Sequence, residues 1–254
     1  MNIVEIVAYF FIYAFLGWIC EDIYCGIPAK KFINRGFLYG PYCPIYGFGA
    51  LLILYPLEKV REYPILVFIL GTIITSALEY FASYIMEVIF HMRWWDYSQY
   101  KFNIKGRVCL LNAVLFGLLS LVAIYFIHPF IKSRVEAIPS HILTIIVGLA
   151  SIGFVMDLFF TVKNLFMQKR IYEKAYAAYA TLKERFEADK EAHKESLHEW
   201  AKHEPEYEAL KELKDKVKAN VKTHLSKAYP KRELRGPFGA IQHIIQEARE
   251  ELGK

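Results

Sequence analysis

Cysteine is scarce in this chain. Cys20, Cys25, Cys43 and Cys109 are the four present in 254 residues, and none forms a CxxC pair. That spacing excludes a disulfide framework and reads as reduced thiols beside apolar segments. The G-x-x-x-x-G-K-[ST] phosphate loop is missing, so the chain does not itself hydrolyse ATP. No Ser-His pair or His/Cys cluster stands out, which weighs against an enzyme and leaves no catalytic residue, metal site or cofactor to assign. His193, His198 and His203 sit five apart and walk around a helix rather than share a face, the wrong spacing for a metal pair. A basic stripe free of acids is missing too: the net charge of +5 comes from 31 Lys/Arg against 26 Asp/Glu, well interleaved. Nucleic acid is therefore not an expected partner. Finally, no Lys or Arg precedes Lys30, and Gly17-Trp18 stands where a cleavage site would need small residues. The first apolar run is expected to stay as a span, not to leave as a signal peptide.

What the chain does have is apolar surface. Hydrophobic residues make up 55% and charged residues 22%, against roughly 45–50% and ~25% in ordinary soluble domains. The two properties separate along the chain. Residues 1–162 hold 11 Lys/Arg and 10 Asp/Glu, whereas 163–254 hold 20 and 16. A bilayer-crossing helix needs ~20 mostly apolar residues. Five stretches approach this: Ile3 to about Cys20, about Pro44 to Leu57, Pro64 to Phe90, Val108 to about Ile131, and Ile142 to about Val162. The first ends in Glu21-Asp22. The second is short and rich in Gly and Pro, as a broken or re-entrant helix would be.

The reading is an all-α, polytopic transmembrane bundle of about five spans over 1–162, followed by a charged cytoplasmic helical tail over 163–254. Lys30, Lys31 and Arg35, then Arg93, Lys101, Lys105 and Arg107, then Lys163, Lys169, Arg170 and Lys174 lie on alternate loops. With five spans, this puts the N-terminus outside and the C-terminus in the cytoplasm. If the second stretch re-enters, the parity changes. In the tail, Tyr172, Ala175, Tyr179, Leu182 and Phe186 recur at helical spacing, and Leu210, Leu213, Val217, Val221 and Leu225 rebuild a stripe after Pro205. A last amphipathic piece carries Phe238, Ile241, Ile245, Ala248 and Leu252.

Ionisable groups inside a bilayer mark function or buried pairing. In the third stretch Thr72, Ser76, Glu79, Ser83 and Glu87 recur at spacings of 4, 3, 4 and 4, on one helix face. Two readings remain open: a polar path or ligand site, or a buried face whose acids pair with Arg35, Arg93 and Arg107. Asp157, near an interface, reads as a paired or snorkelled acid. Two loops concentrate the rest: Asn34-Arg35-Gly36-Phe37-Leu38-Tyr39-Gly40-Pro41-Tyr42-Cys43-Pro44-Ile45-Tyr46-Gly47, and Arg93-Trp94-Trp95-Asp96-Tyr97-Ser98 running on to Gly106-Arg107-Val108-Cys109-Leu110. Arginine forks suit phosphate or carboxylate, and Trp faces suit rings or cations.

Together with Gly17-Trp18 before Glu21, and Glu79-Tyr80 before Glu87, these strings resemble the ABC-transporter type IV, or CmpB-like permease, family of bacterial integral membrane proteins over about residues 7–160. The resemblance implies a multi-pass protein of the bacterial inner membrane. It marks Glu21, Arg35, Glu79, Glu87, Trp94, Trp95, Asp96 and Arg107 as positions of a ligand site or polar network. It also implies, besides the lipid bilayer, a separate cytoplasmic ATPase as partner. Two other functions fit the residues: a membrane-embedded lipid- or anion-binding protein or enzyme, and a scaffold that recruits a cytoplasmic protein through its helical tail.

Overall fold

In lipid, backbone polar groups must be satisfied within the segment, so apolar runs become helices. The computed structural model describes residues 2–30, 34, 36–188, 212, 215, 216, 233 and 234. Its elements are α1 (Ile3–Ala29), α2 (Pro44–Glu58), α3 (Pro64–Phe90), β1 (Met92–Arg93), β2 (Asn103–Ile104), β3 (Val108–Cys109), α4 (Leu110–Val122), a π-helical turn (Ala123–Ile127), α5 (His128–Glu136), α6 (Ser140–Ala188) and β4 (Glu233–Leu234). The protein is an all-α membrane helix bundle. Among the described residues four stretches are long and apolar enough to cross: Ile3–Tyr24, Pro64–Phe90, Leu110–Glu136 and Ser140–Ala178. With 15 residues, α2 reaches about 22 Å, short of the ~30 Å hydrocarbon core.

Local chemistry accounts for the helix ends. Asn2 and Glu5 form a reciprocal capping box: Glu5 N–H donates to Asn2 Oδ1 at 2.9 Å and Asn2 N–H to Glu5 Oε2 at 3.1 Å. Glu5 is thus a cap rather than a charge adrift in a span. The expected end of the first helix at Glu21-Asp22 is corrected. No glycine or proline falls between Gly17 and Gly26, so α1 continues to Ala29 and stops at Lys30, which adopts the left-handed conformation. The fifth stretch likewise does not stop near Val162. With no helix breaker between Gly153 and Ala188, α6 runs unbroken through the drop in hydropathy. Pro129 explains the π turn. A proline ring clashes with the carbonyl four residues back, and His128 N–H here bonds Ala123 C=O, five residues back.

The chain divides into two compact units. The first comprises Met1–Ile85 and Trp95–Thr161. Its core gathers Tyr9, Tyr13, Leu57, Val67, Ile124 and Val147 from α1, α2, α3, the π turn and α6. Glycines let backbones approach. A Cβ on Gly17 would strike the Tyr46 ring, one on Gly47 would strike Phe10, and one on Gly117 would strike Thr72 and Phe68. These are the small-residue contacts of membrane helix packing. β2 and β3 pair antiparallel, Ile104 opposite Val108, around a turn in which Lys105 and Gly106 take positive φ. Much of the first part of α6 is exposed and apolar, including Ile145, Leu149, Ile152 and Phe159, a surface suited to lipid.

The second unit comprises Met86–Trp94 and Val162–Lys254. Phe90 packs on Phe166 with ring centroids 5.7 Å apart, and Lys169 Nζ donates to Ile89 C=O at 3.3 Å. β1 pairs antiparallel with β4, Met92 opposite Leu234. Tyr172 and Ala175 of the expected tail stripe are buried. The other side chains of that stripe, the stripe from Leu210 to Leu225, the final amphipathic piece and the three spaced histidines lie outside the described residues.

Candidate functional site

The positions of the α3 face foreseen from spacing differ in their surroundings. Thr72 bonds the Phe68 carbonyl at 2.8 Å and faces Gly117. Ser76 Oγ is buried with no hydrogen-bond partner among the described residues. Glu79, 6% exposed, accepts from the Tyr97 hydroxyl at Oε1, 3.1 Å, while its Oε2 is buried and has no hydrogen-bond partner among the described residues. Ser83 Oγ accepts from Arg107 at 3.2 Å. Glu87, in the second unit, pairs with Arg93 at 3.4 Å.

Two tyrosines carry the site that spacing alone did not find. Tyr97 arrives from the loop after α3, fixed by its N–H to the Gly106 carbonyl at 2.8 Å. Its phenol is pushed well above the ordinary tyrosine range, first by burial and then by the neighbouring Glu79 charge and the bond to it. The Glu21 carboxylate acts on both Tyr97 and Glu79, so the two acids face one region. Glu21 in turn accepts from the Tyr46 hydroxyl at 2.9 Å. Tyr46 is seated by Gly17, and α2 is held against α1 by Cys43 N–H on the Ala14 carbonyl at 2.8 Å. Both tyrosines lie inside the loop strings of the family resemblance, which was the available signal.

Arg107 is 8% exposed. Its guanidinium lies 5.8 Å from the Tyr80 ring and 5.4 Å from Tyr84, within cation–π range. Trp95 Nε1 donates to the Arg107 carbonyl at 3.1 Å. Asp96 accepts from Ser98 N–H at 2.9 Å, a local turn bond. The structure thus brings Glu21, Glu79, Trp95 and Arg107 into one unit with Asp96 on the same loop. Glu87 and Trp94 belong to the second unit, and Arg35 lies outside the described residues. Among the described residues no group of three or more His, Cys, Asp or Glu is placed to hold a metal ion.

The loop before α2 is tied down separately. Trp18 Nε1 donates to Asn34 Oδ1 at 2.8 Å, and Asn34 Nδ2 to the Tyr39 carbonyl at 3.1 Å. Asp157 accepts from Tyr39 N–H at 3.0 Å, Gly40 N–H at 2.7 Å and Thr161 Oγ1 at 3.1 Å. Burial, followed by the Asp157 charge and a hydrogen bond to it, raises the Tyr42 phenol as well.

Apolar helices of spanning length, with the buried Glu79 bonded by Tyr97 and the half-buried Glu21 bonded by Tyr46, define a polytopic membrane protein with polar groups among its spans. The chain belongs to the family described as "Putative ABC-transporter type IV", which matches residues 8–162. No curated protein and no solved structure matches it.

Proposed function

We propose that this chain is the permease-like component of a transport system, without an ATPase of its own, and that Glu79 with Glu21 forms the site that engages its cargo. One observation carries the reading: Glu79 sits 6% exposed on a spanning helix with one oxygen held by Tyr97 and the other without a hydrogen-bond partner among the described residues. A buried carboxylate with an open acceptor is costly, and such groups in spans are kept for ligand or ion handling. Arg107 favours a cation-type site over an anion-type one. Ser83 and two tyrosine rings engage its guanidinium, whereas Glu79 Oε2 is buried without a hydrogen-bond partner among the described residues. In this reading the charged tail lies in the cytoplasm, where a separate ATPase supplies the energy.

The test is affinity purification of the tagged full chain from native membranes in mild detergent, with proteomics and ATP hydrolysis on the eluate. A co-purifying nucleotide-binding ATPase is expected. Glu79→Gln should leave that partner bound and abolish growth complementation. Recovery of no ATPase from membranes that complement growth would overturn the assignment.

A further inference from the structure

A second polar cluster lies inside the bundle, in the core that α1 makes with α5. Tyr9 is 0%, Tyr13 8% and His128 7% exposed. The Tyr9 ring stands edge-on to the His128 imidazole with centroids 5.1 Å apart, and the Tyr13 ring is 6.3 Å away. The Tyr9 and Tyr13 hydroxyls and His128 Nδ1 are buried, and none has a hydrogen-bond partner among the described residues. Three such atoms among Leu57, Ile124, Ile131 and Val135 are far more than a dry core tolerates, since each buried unpaired polar group carries its full desolvation penalty.

A cavity lies at the N-terminal end of the same helix. Glu5, Tyr9 and Tyr13 follow one another at i, i+4 and i+8 along one stripe of α1. Glu5 and Glu136 line a cavity of about 400 Å³ with Val135, Leu143 and Thr144. Both carboxylates act electrostatically on Tyr9, and Glu136 also acts on His128. Glu58, Arg61 and Lys132 act on His128 too, so acids and bases around it offset each other, and the groups in direct contact are two phenols and an imidazole. Such a lining suits a neutral ligand that both donates and accepts hydrogen bonds. A buried water typically makes about three such bonds.

We propose that Tyr9, Tyr13 and His128 bind water inside the bundle, supplied through the Glu5/Glu136 cavity. The site lies on the helix that also carries Glu21, about 12 Å along its axis from Tyr13. It does not depend on the transport reading.

Radiolytic hydroxyl-radical footprinting of the full chain in nanodiscs tests it, because radicals form where water is bound. Tyr9, Tyr13 and His128 are expected to label faster than Tyr172, a buried tyrosine of the other unit. Labelling no faster than Tyr172 overturns the proposal. Thr144→Trp, which fills the cavity without touching the three residues, should slow that labelling; an unchanged rate overturns the route. Tyr9→Phe and Tyr13→Phe should lower Tm by about 2–4 °C, the loss of one water-mediated bond. A rise in Tm, as expected for deleting a dry unpaired hydroxyl, would count against bound water. Should either variant fail to fold, the labelling of the unaltered chain decides.

Discussion

The carboxylate of Asp157 accepts the backbone N–H of Gly40 at 2.7 Å, joining positions 117 residues apart. With the Tyr39 N–H on its other oxygen, this acid clamps the loop that delivers α2. Hydrogen bonds to a charged acceptor contribute about 1.5–3 kcal/mol each. Asparagine offers one acceptor oxygen and cannot serve both amides. Asp157→Asn should therefore destabilise the protein by about 1–3 kcal/mol and speed tryptic cleavage after Lys30, Lys31 and Arg35. Cleavage at the unaltered rate would mean that the clamp does not hold the loop.

Gly17 and Tyr46 make a second pair. The Tyr46 ring occupies the space a Cβ at position 17 would need, and its hydroxyl reaches Glu21. Gly17→Ala should cost about 1–3 kcal/mol through forced displacement of that ring, and Tyr46→Phe about 1–3 kcal/mol by leaving the Glu21 carboxylate one donor short. Both changes break the same bond, so their effects should fall short of additive in a double-mutant cycle. Strict additivity, read from denaturation in detergent, would show that Gly17 does not act through Tyr46.

What the sequence made legible follows from what periodicity can report. Apolar runs revealed the spans, and spacing revealed the α3 face, because both are properties of one segment. Tyr97 on Glu79, Tyr46 on Glu21 and Asp157 on Gly40 each join different elements, and no spacing rule reaches across them. Asp157 could be recognised as an acid needing partners, yet its partners are backbone amides, which carry no sequence signal. The ends of α1 and α6 were misplaced for a related reason. Hydropathy falls at Glu21 and after Val162, but a fall in hydropathy does not end a helix: α1 runs on to the left-handed Lys30, and α6 passes Val162 without a break.

Tyr97 gives a pH dependence. Its phenol is held above the unfolded value near 10 by burial and by Glu79. A raised acid of this kind adds stability that is complete below pH ~10 and drains away as pH climbs beyond it, where the unfolded chain loses its proton and the folded one does not. The margin in stability of the unaltered protein over Tyr97→Phe should narrow as pH rises above ~10. Chemical denaturation of both proteins across pH 7–11 measures this. A margin that grows above pH 10 would contradict the burial of the phenol.

The glycines of the spans should divide by what surrounds them. Gly117 faces Thr72 and Phe68, and Gly71 faces Ser120, so α3 and α4 touch where neither side has room for a methyl. Gly117→Ala should lower stability by about 1–3 kcal/mol through overpacking. Gly148 and Gly153 have nothing within 4 Å of an added Cβ and sit inside α6. There alanine removes backbone freedom from the unfolded chain, and each substitution should be neutral or raise stability by about 0.4–1 kcal/mol. Thermal melts of the four single alanine variants in one lipid mixture make the comparison. If Gly148→Ala proves as damaging as Gly117→Ala, then the exposed face of α6 is covered by something other than lipid, and its partner becomes the next object to find.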